Sequence, residues 1–171
     1  MYPVLRMTRE MFAARRQPPL GLSETHVSHH RCWPWDIDMW MELNNGRTLT
    51  LYDLGRLPLA QRTGLIAMLR KRKWGLTVAG VSVRYRRRVR LFDRITMKSR
   101  VIGWDDRFVY IEQAMRRTRD GETASHALFR SAVTDRHGIV GTDRLLAALG
   151  MDDVPAERPL PGWAAAWVGA E

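Results

Sequence analysis

The spacing of apolar residues predicts a helical segment followed by several strands. Leu49 and Tyr52 share one broad face of a helix, and Asn44 is placed to begin that helix. Pro58 is expected to end it near Arg56 or to start a new helix, because proline lacks the backbone N–H that continues a helix. A second helix is expected to follow directly.

Beyond Trp74 the apolar residues recur at every second position, a period that is typical of half-buried strands. The first predicted strand runs from residue 75 to 93, with valines on one face. The other face carries four arginines: Arg84, Arg86, Arg88 and Arg90. Three more strands follow, and Asp105–Asp106 and Asp120–Gly121 mark tight turns between them. The short turns predict antiparallel pairing.

The remaining segments complete a single-domain layout. Residues 24–35 predict one strand ahead of the long helix. The N-terminal arm, residues 1–22, is expected to hold a short amphipathic helix, and residues 151–171 are expected to form an irregular tail. Between them lies one domain, residues 23–150. A long helix packed on a mostly antiparallel sheet belongs to the α+β fold class.

The composition is that of a folded globular protein: 171 residues, 45% hydrophobic and 27% charged. The single cysteine excludes an intrachain disulfide framework, so a reducing compartment is expected. No apolar run approaches the roughly 18 residues of a membrane span. The N-terminal stretch has no small-residue cleavage site of the kind found in secretory signals. We therefore expect a soluble, cytoplasmic protein.

Positive charge is concentrated in the middle of the sequence. The formal net charge is +10, and residues 62–100 contain thirteen Lys or Arg and one acid, Asp93. A field of this sign attracts phosphate groups, whether on nucleic acid, an anionic membrane or a phosphorylated cofactor. Single-stranded nucleic acid also needs aromatic platforms beside the cations, and Tyr85 alone is weak support for them. We therefore do not expect a nucleic-acid partner.

A cluster of polar residues precedes the predicted long helix. Five lie within ten positions: Asp36, Asp38, Glu42, Asn44 and Asn45. Helix capping needs one such side chain. Apolar residues interleave the five, which indicates a partly buried loop, and buried carboxylates are costly without a purpose or an arginine partner. The spacing alone leaves a structural and a functional explanation equally open.

The run DIDMWMELNN, residues 36–45, resembles the D-x-D-x-x-G-H-x-N-N signature of hotdog-fold acyl-CoA thioesterases of the 4-hydroxybenzoyl-CoA type. The stretch LYDLGR at 51–56 resembles the central helix that follows in this family, and residues 81–101 resemble its strand pair. The resemblance covers about residues 24–140. It implies a hotdog fold, in which an antiparallel sheet wraps around a central helix, and a homodimer or dimer of dimers.

The resemblance also implies roles for single residues. Asp38 falls where many members have the carboxylate that acts as nucleophile or general base on the thioester. Asn45 falls at the helix start, where N–H groups can hold a developing oxyanion, and Asn44 would help it to orient the thioester or the attacking water. Asp36 is also expected among the substrate-binding residues. Its role would be to fix the loop by pairing with an arginine. Trp40 would wall an acyl pocket.

Three positions depart from the family pattern. Met41 replaces its glycine, Glu42 its histidine, and Thr48 the aromatic residue that follows. Glu42 could supply a second general base, because a partly buried glutamate can be tuned toward neutral pH. The same departures leave a second interpretation open, in which the protein binds acyl-CoA or an acyl carrier without hydrolysing it.

The arginine-rich strand is expected to meet the substrate. Coenzyme A carries a 3′-phosphate and a pyrophosphate, groups that arginine binds well. Arg86, Arg88 and Arg90 are the expected contacts, and Arg87 is expected at a bulge or paired inward. No cofactor is expected beyond the coenzyme A of the substrate.

His26, His30 and Cys32 share one face of the strand predicted at residues 24–35. A zinc site there would lack the paired-cysteine spacing of structural zinc sites. We therefore expect no metal, and polar residues on a solvent-facing strand.

Overall fold

A computed structural model describes residues 2–151, 155 and 157–170. Its helices are α1 (Val4–Arg15), α2 (Asn45–Arg62), α3 (Leu65–Arg72), α4 (Thr142–Ala148) and α5 (Gly162–Val168). Its strands are β1 (His26–Arg31), β2 (Gly75–Tyr85), β3 (Arg94–Trp104), β4 (Val109–Arg117), β5 (Thr123–Asp135) and β6 (Gly138–Val140). None of the described helices is both long enough and apolar enough to cross a membrane.

The strands form an antiparallel sheet in the order β1-β3-β4-β5-β2, and β6 also pairs with β5. The predicted turns at Asp105–Asp106 and Asp120–Gly121 join β3 to β4 and β4 to β5. The central helix α2 packs along one face of this sheet, against β1, β3 and β4. The predicted α+β layout is therefore confirmed.

Close contacts hold the middle of α2 against β3 and β4. Gln113, fully buried in β4, donates from Nε2 to the backbone oxygen of Tyr52 at 2.9 Å and to Ser99 Oγ at 2.7 Å. A Cβ at Gly55 would lie 2.6 Å from Ser99 Oγ, so glycine is needed where the helix approaches the sheet. These contacts fix the helix along its length and, with it, the position of its N-terminus.

The helix α2 continues past Pro58, so the prediction that proline would end it near Arg56 was wrong. It runs to Arg62, and the break falls at Gly64, whose φ of 79° favours glycine. A proline inside a helix costs about 3 kcal/mol. Beyond it Leu59 is buried in the core, and packing of this kind offsets the lost hydrogen bond.

The strand β2 is shorter than predicted. It ends at Tyr85, and the N–H groups of Arg86 and Arg87 both donate to the oxygen of Ala124, at 2.8 and 3.0 Å. Two consecutive donors on one acceptor interrupt the regular ladder. The arginines from Arg86 to Arg90 therefore lie in a loop and do not alternate along a strand, as the sequence had suggested.

The C-terminal segment, expected to be irregular, includes α5. Its Ala164 is fully buried, and α5 packs against Ile102, Tyr110 and Leu128 of the sheet. Pro161 precedes the helix and no side chain caps it, so the sequence offers no local capping signal for this element.

Candidate active site

A cavity of about 250 Å³ lies at the N-terminal end of α2. It is bounded by the polar loop before α2, the first turn of α2, the loop after β2, and strands β4 and β5. Its lining residues are Glu42, Leu43, Asn45, Thr48, Tyr85, Arg86, Arg87, Arg88, Val89, Met115, Ala124 and Ser125. The sequence-predicted site residues in this lining are Glu42, Asn45, Arg86 and Arg88.

Glu42 is the acidic side chain of the cavity lining. It is 26% exposed, and its Oε1 lies 3.2 Å from Arg88 Nε. Backbone pairing joins the same two loops, because the N–H of Leu43 donates to the oxygen of Val89 at 2.8 Å and Glu42 forms a β-bridge with Arg90. The loop before α2 and the arginine-rich loop after β2 are therefore held together at the cavity.

Asn44 caps α2, and Asn45 begins it. Asn44 Oδ1 accepts from the N–H of Arg47 at 3.2 Å, and its backbone oxygen accepts from the N–H of Thr48 at 2.9 Å. Asn45 lines the cavity, and the hydroxyl of Tyr85 donates to its backbone oxygen at 3.3 Å. Since α2 is 18 residues long, its N-terminus presents partial positive charge to the cavity.

Asp36 is fully buried and does not line the cavity. Its Oδ2 accepts from Arg6 Nη1 at 2.7 Å and from the N–H of Trp33 at 3.1 Å, while Oδ1 accepts from Arg47 Nη2 at 2.8 Å. The carboxylate therefore ties α1 and α2 to the loop between β1 and α2. These contacts account for its burial without a substrate.

Asp38 lies in a tight turn outside the cavity lining. Its Oδ1 accepts from the N–H of Trp40 at 2.9 Å, and its own N–H donates to the oxygen of Glu42 at 2.8 Å. Met41, which stands where the family has glycine, has a φ of 58°, so the turn keeps a conformation that favours glycine. Trp40 is 75% exposed and forms no wall of the cavity.

Ser125 of β5 adds a hydroxyl to the cavity wall that the sequence did not single out. Its Oγ lies 2.8 Å from the hydroxyl of Tyr52, and burial raises the pKa of Tyr52, so the phenol stays protonated. The inward alternation along β5 was the available signal for Ser125. His126 follows on the opposite face of the strand, so the two side chains do not form a Ser–His pair.

The arginine-rich loop supplies the cationic side of the cavity. Arg86, Arg87 and Arg88 line it, and Arg88 pairs with Glu42. Arg90, which the sequence grouped with them, is exposed and lies outside the lining.

His26 and His30 of β1 are buried and His29 is exposed, so the prediction of a solvent-facing strand was wrong for the face that carries His26 and His30, because this face packs on α2. His26 Nδ1 lies 3.0 Å from Arg62 Nη1, and His30 Nε2 lies 2.9 Å from Ser28 Oγ. Burial, with smaller contributions from nearby cations, lowers the pKa of His26 to about 4 and that of His30 to about 3. Over residues 2–151, 155 and 157–170, no three His, Cys, Asp or Glu side chains group as metal ligands would.

Residues 32–168 match the family model of the thioesterase-like superfamily. The Drosophila melanogaster protein THEM6 is 29% identical over 133 residues, which cover 77% of this chain and 69% of that protein. The Xenopus laevis protein THEM6 is 30% identical over 121 residues, which cover 70% of this chain and 58% of that protein. With the Danio rerio protein included, the chain spans between 53% and 69% of the lengths of these relatives.

Solved structures with a similar fold include YbaW, a probable thioesterase from Escherichia coli. It has a TM-score of 0.68 and 16% identity, over 75% of this chain and 98% of that chain. A DHNA-CoA thioesterase from Staphylococcus aureus has a TM-score of 0.64 and 15% identity, over 85% of this chain and 90% of that chain. At these identities the likeness shows the fold, and the predicted hotdog fold is confirmed.

Proposed function

We propose that this chain, which belongs to the thioesterase-like superfamily, hydrolyses the thioester bond of an acyl-CoA to release the free acid and CoA. The observation that carries the proposal is the cavity at the start of α2, where Glu42, Asn45 and the helix N-terminus meet beside a cationic loop. A carboxylate base, a polar amide and N–H donors are groups that acyl transfer to water uses.

We assign Glu42 as the general base. It is the acidic group of the cavity lining, whereas the carboxylate of Asp38 accepts a hydrogen bond from Trp40 in the turn outside. In this assignment Glu42 takes a proton from water, and the water oxygen attacks the thioester carbon. The carbon–sulfur bond then breaks, and the departing thiolate takes up the proton that Glu42 holds.

The first turn of α2 supports stabilisation of the developing oxyanion. The carbonyl oxygen gains negative charge during the attack, and a helix N-terminus offers both N–H donors and partial positive charge. The cap from Asn44 occupies the N–H of Arg47, so the N–H groups of Asn45 and Gly46 are the donors we assign to the oxyanion. The side-chain amide of Asn45 would orient the thioester or the water.

The cationic loop supports a phosphate-bearing substrate. Arg86, Arg87 and Arg88 line the cavity, and arginine suits the phosphates of coenzyme A. The fold shared with the DHNA-CoA thioesterase of Staphylococcus aureus also supports a CoA thioester as the substrate class.

The alternative is a protein that binds acyl-CoA or an acyl carrier without hydrolysing it. Glu42 stands where the family signature has histidine, and this departure favours the alternative. Release of free thiol from a panel of acyl-CoAs, followed with a thiol reagent, separates the two. If the protein is a hydrolase, each molecule releases thiol over many turnovers. If it only binds acyl-CoA, the ligand stays bound and thiol is released no faster than in buffer without the protein.

We also propose that two copies pair side by side through β2, as a dimer or within a dimer of dimers. β2 ends the described sheet with β5 as its strand neighbour, and its Val78 and Val81 are 42% and 37% exposed. Sedimentation velocity at micromolar concentration tests this proposal, and a monomer would contradict it.

A further inference from the structure

A second cavity, of about 970 Å³, lies on the opposite face of the sheet. Lys98 and Ala114 line it and pair across β3 and β4, while the next pair in the ladder, Ser99 and Gln113, is buried under α2. Because successive side chains of a strand point to opposite faces, this cavity lies on the side of the sheet away from α2. We call it the outer groove.

The outer groove carries more positive than negative charge. Its cationic lining residues are Arg86, Arg87, Lys98, Arg100 and Arg116. Two of these pair with acids of the groove: Arg100 Nε lies 2.6 Å from Glu112, and Arg87 Nε lies 3.3 Å from Glu122. The other three form no ion pair with any residue that the structure describes. Like charges along one groove repel each other, so an anion is the ligand that this lining suits.

The negative charge of Glu112, the central acid of the groove, is already balanced by neighbouring side chains of the groove. Glu112 accepts from His126 Nε2 at 2.8 Å and from Arg100 Nε at 2.6 Å. These hydrogen bonds, that from His126 first, lower the pKa of Glu112. The carboxylate is therefore ionised and satisfied by two donors, and it leaves Arg86, Lys98 and Arg116 available to a ligand.

The outer groove and the cavity at α2 share two lining residues. Arg86 and Arg87 line both, at the point where β2 ends and both N–H groups bond to Ala124. A ligand that fills both cavities must carry an anionic group at one end and a reacting group at the other, joined by a linker that passes these two arginines.

An aromatic surface borders the outer groove. Trp163 of α5 is 47% exposed, and its ring centroid lies 5.1 Å from that of His126, which lines the groove. An exposed indole beside a basic groove suits the stacking of a nucleobase, which contributes about 1–3 kcal/mol per base.

We propose that the outer groove binds the phosphorylated adenosine of coenzyme A, with its phosphates on Lys98, Arg116 and Arg86 and its adenine against Trp163. The thioester then reaches Glu42 around the end of β2. This proposal rests on the proposed function for its choice of ligand, but it concerns residues on the face of the sheet away from the catalytic cavity.

Binding of CoA to the purified full chain, measured by isothermal titration calorimetry, tests the groove without any reaction. The double variant Lys98→Glu and Arg116→Glu is expected to weaken CoA binding at least about tenfold, since it reverses two charges that meet phosphate. The matched control is Lys71→Glu, an exposed residue of α3 outside both cavities. The control is expected to bind CoA within about twofold of the parent. Equal affinity of the double variant and the parent would overturn the proposal.

A kinetic comparison separates the groove from the chemistry. With acyl-CoA, the double variant is expected to raise KM and leave kcat unchanged. With a truncated thioester such as acyl-N-acetylcysteamine, which has no nucleotide, both constants are expected to stay unchanged. A parent protein that binds CoA in the groove but releases no thiol would refute the proposed hydrolysis and would still support nucleotide binding in the outer groove. If the double variant had the same KM for acyl-CoA as the parent, nucleotide binding in the outer groove would be refuted, but the proposed hydrolysis would not.

The adenine contact has its own test. Trp163→Ala is expected to weaken binding of CoA but not of 4′-phosphopantetheine, which lacks the base, and Trp163→Phe is expected to restore binding. Equal losses for both ligands would overturn the stacking assignment.

A carrier protein is the alternative ligand of the outer groove. If the double variant loses activity on an acylated carrier protein while its affinity for CoA is unchanged, the groove is a docking surface for an acidic protein and the nucleotide assignment fails.

Discussion

Glu42 and Arg88 are joined by an ion pair, with 3.2 Å between Oε1 and Nε, beside the start of α2. Arg88 is 73% exposed and Glu42 is 26% exposed, so the pair adds about 1 kcal/mol or less to stability. Its consequence is positional, because it holds the carboxylate at the cavity where we assign the attack of water.

Replacing Arg88 with alanine is therefore expected to lower kcat for acyl-CoA hydrolysis about tenfold, since small displacements of a reacting group are costly in rate. The free energy of unfolding is expected to change by less than about 1 kcal/mol. Steady-state kinetics and urea melts measure the two effects. Arg88→Lys keeps the charge but not the guanidinium geometry, and we expect an intermediate kcat. An unchanged kcat for Arg88→Ala would remove the positional role.

The buried histidines of β1 predict a loss of stability in mild acid. The pKa values of His26 and His30 are lowered to about 4 and about 3 in the fold, whereas in the unfolded chain they return to about 6.5. Between these values the unfolded state binds more protons, so stability is present above about pH 6.5 and falls as the pH falls toward 4. We expect a loss of about 2–3 kcal/mol between about pH 7 and pH 5.5, with similar contributions from the two histidines.

Urea unfolding across this range checks the expectation. His30→Gln removes one of the titrating groups, so its stability is expected to depend less on pH than that of the parent. A variant with the same pH dependence as the parent would show that the protons bind elsewhere.

The turn at Met41 predicts a stabilising substitution. Its φ of 58° lies in the left-handed region, where residues other than glycine pay of order 1 kcal/mol. Met41→Gly is expected to raise the free energy of unfolding by about 1 kcal/mol, because the side chain it removes is 57% exposed and packs little. Met41→Ala keeps the backbone cost and is expected to give no gain. An equal gain from alanine would place the effect in the side chain and not in the backbone.

The sequence predicted those helices and strands correctly whose positions are set by neighbouring residues in the chain. The change of apolar period near Trp74 separates the helices from the strands, and Asn44 marks the start of α2. Pro58 was misleading because burial of Leu59 and its neighbours outweighs the proline. The arginine run was predicted as a strand because its alternation was regular, whereas the two hydrogen bonds to Ala124 that end β2 depend on a distant strand.

The site was harder to predict because its groups meet only in three dimensions. Asp38 and Glu42 are equivalent as carboxylates in one loop, and only the fold shows that Glu42 lines the cavity. Lys98 and Arg116 lie on neighbouring strands, and each is unremarkable in its own segment. Their shared groove has no signature along the sequence.

The central claim is that Glu42 is the base, and matched amide variants on one acyl-CoA test it most directly. Glu42→Gln keeps the shape but removes the base, so the rate of thiol release is expected to fall about 10²–10⁴-fold. Asp38→Asn keeps the oxygen that accepts from Trp40, so its rate is expected to stay within about threefold of the parent. Near-parental release by Glu42→Gln, with loss of release in Asp38→Asn, would contradict the account.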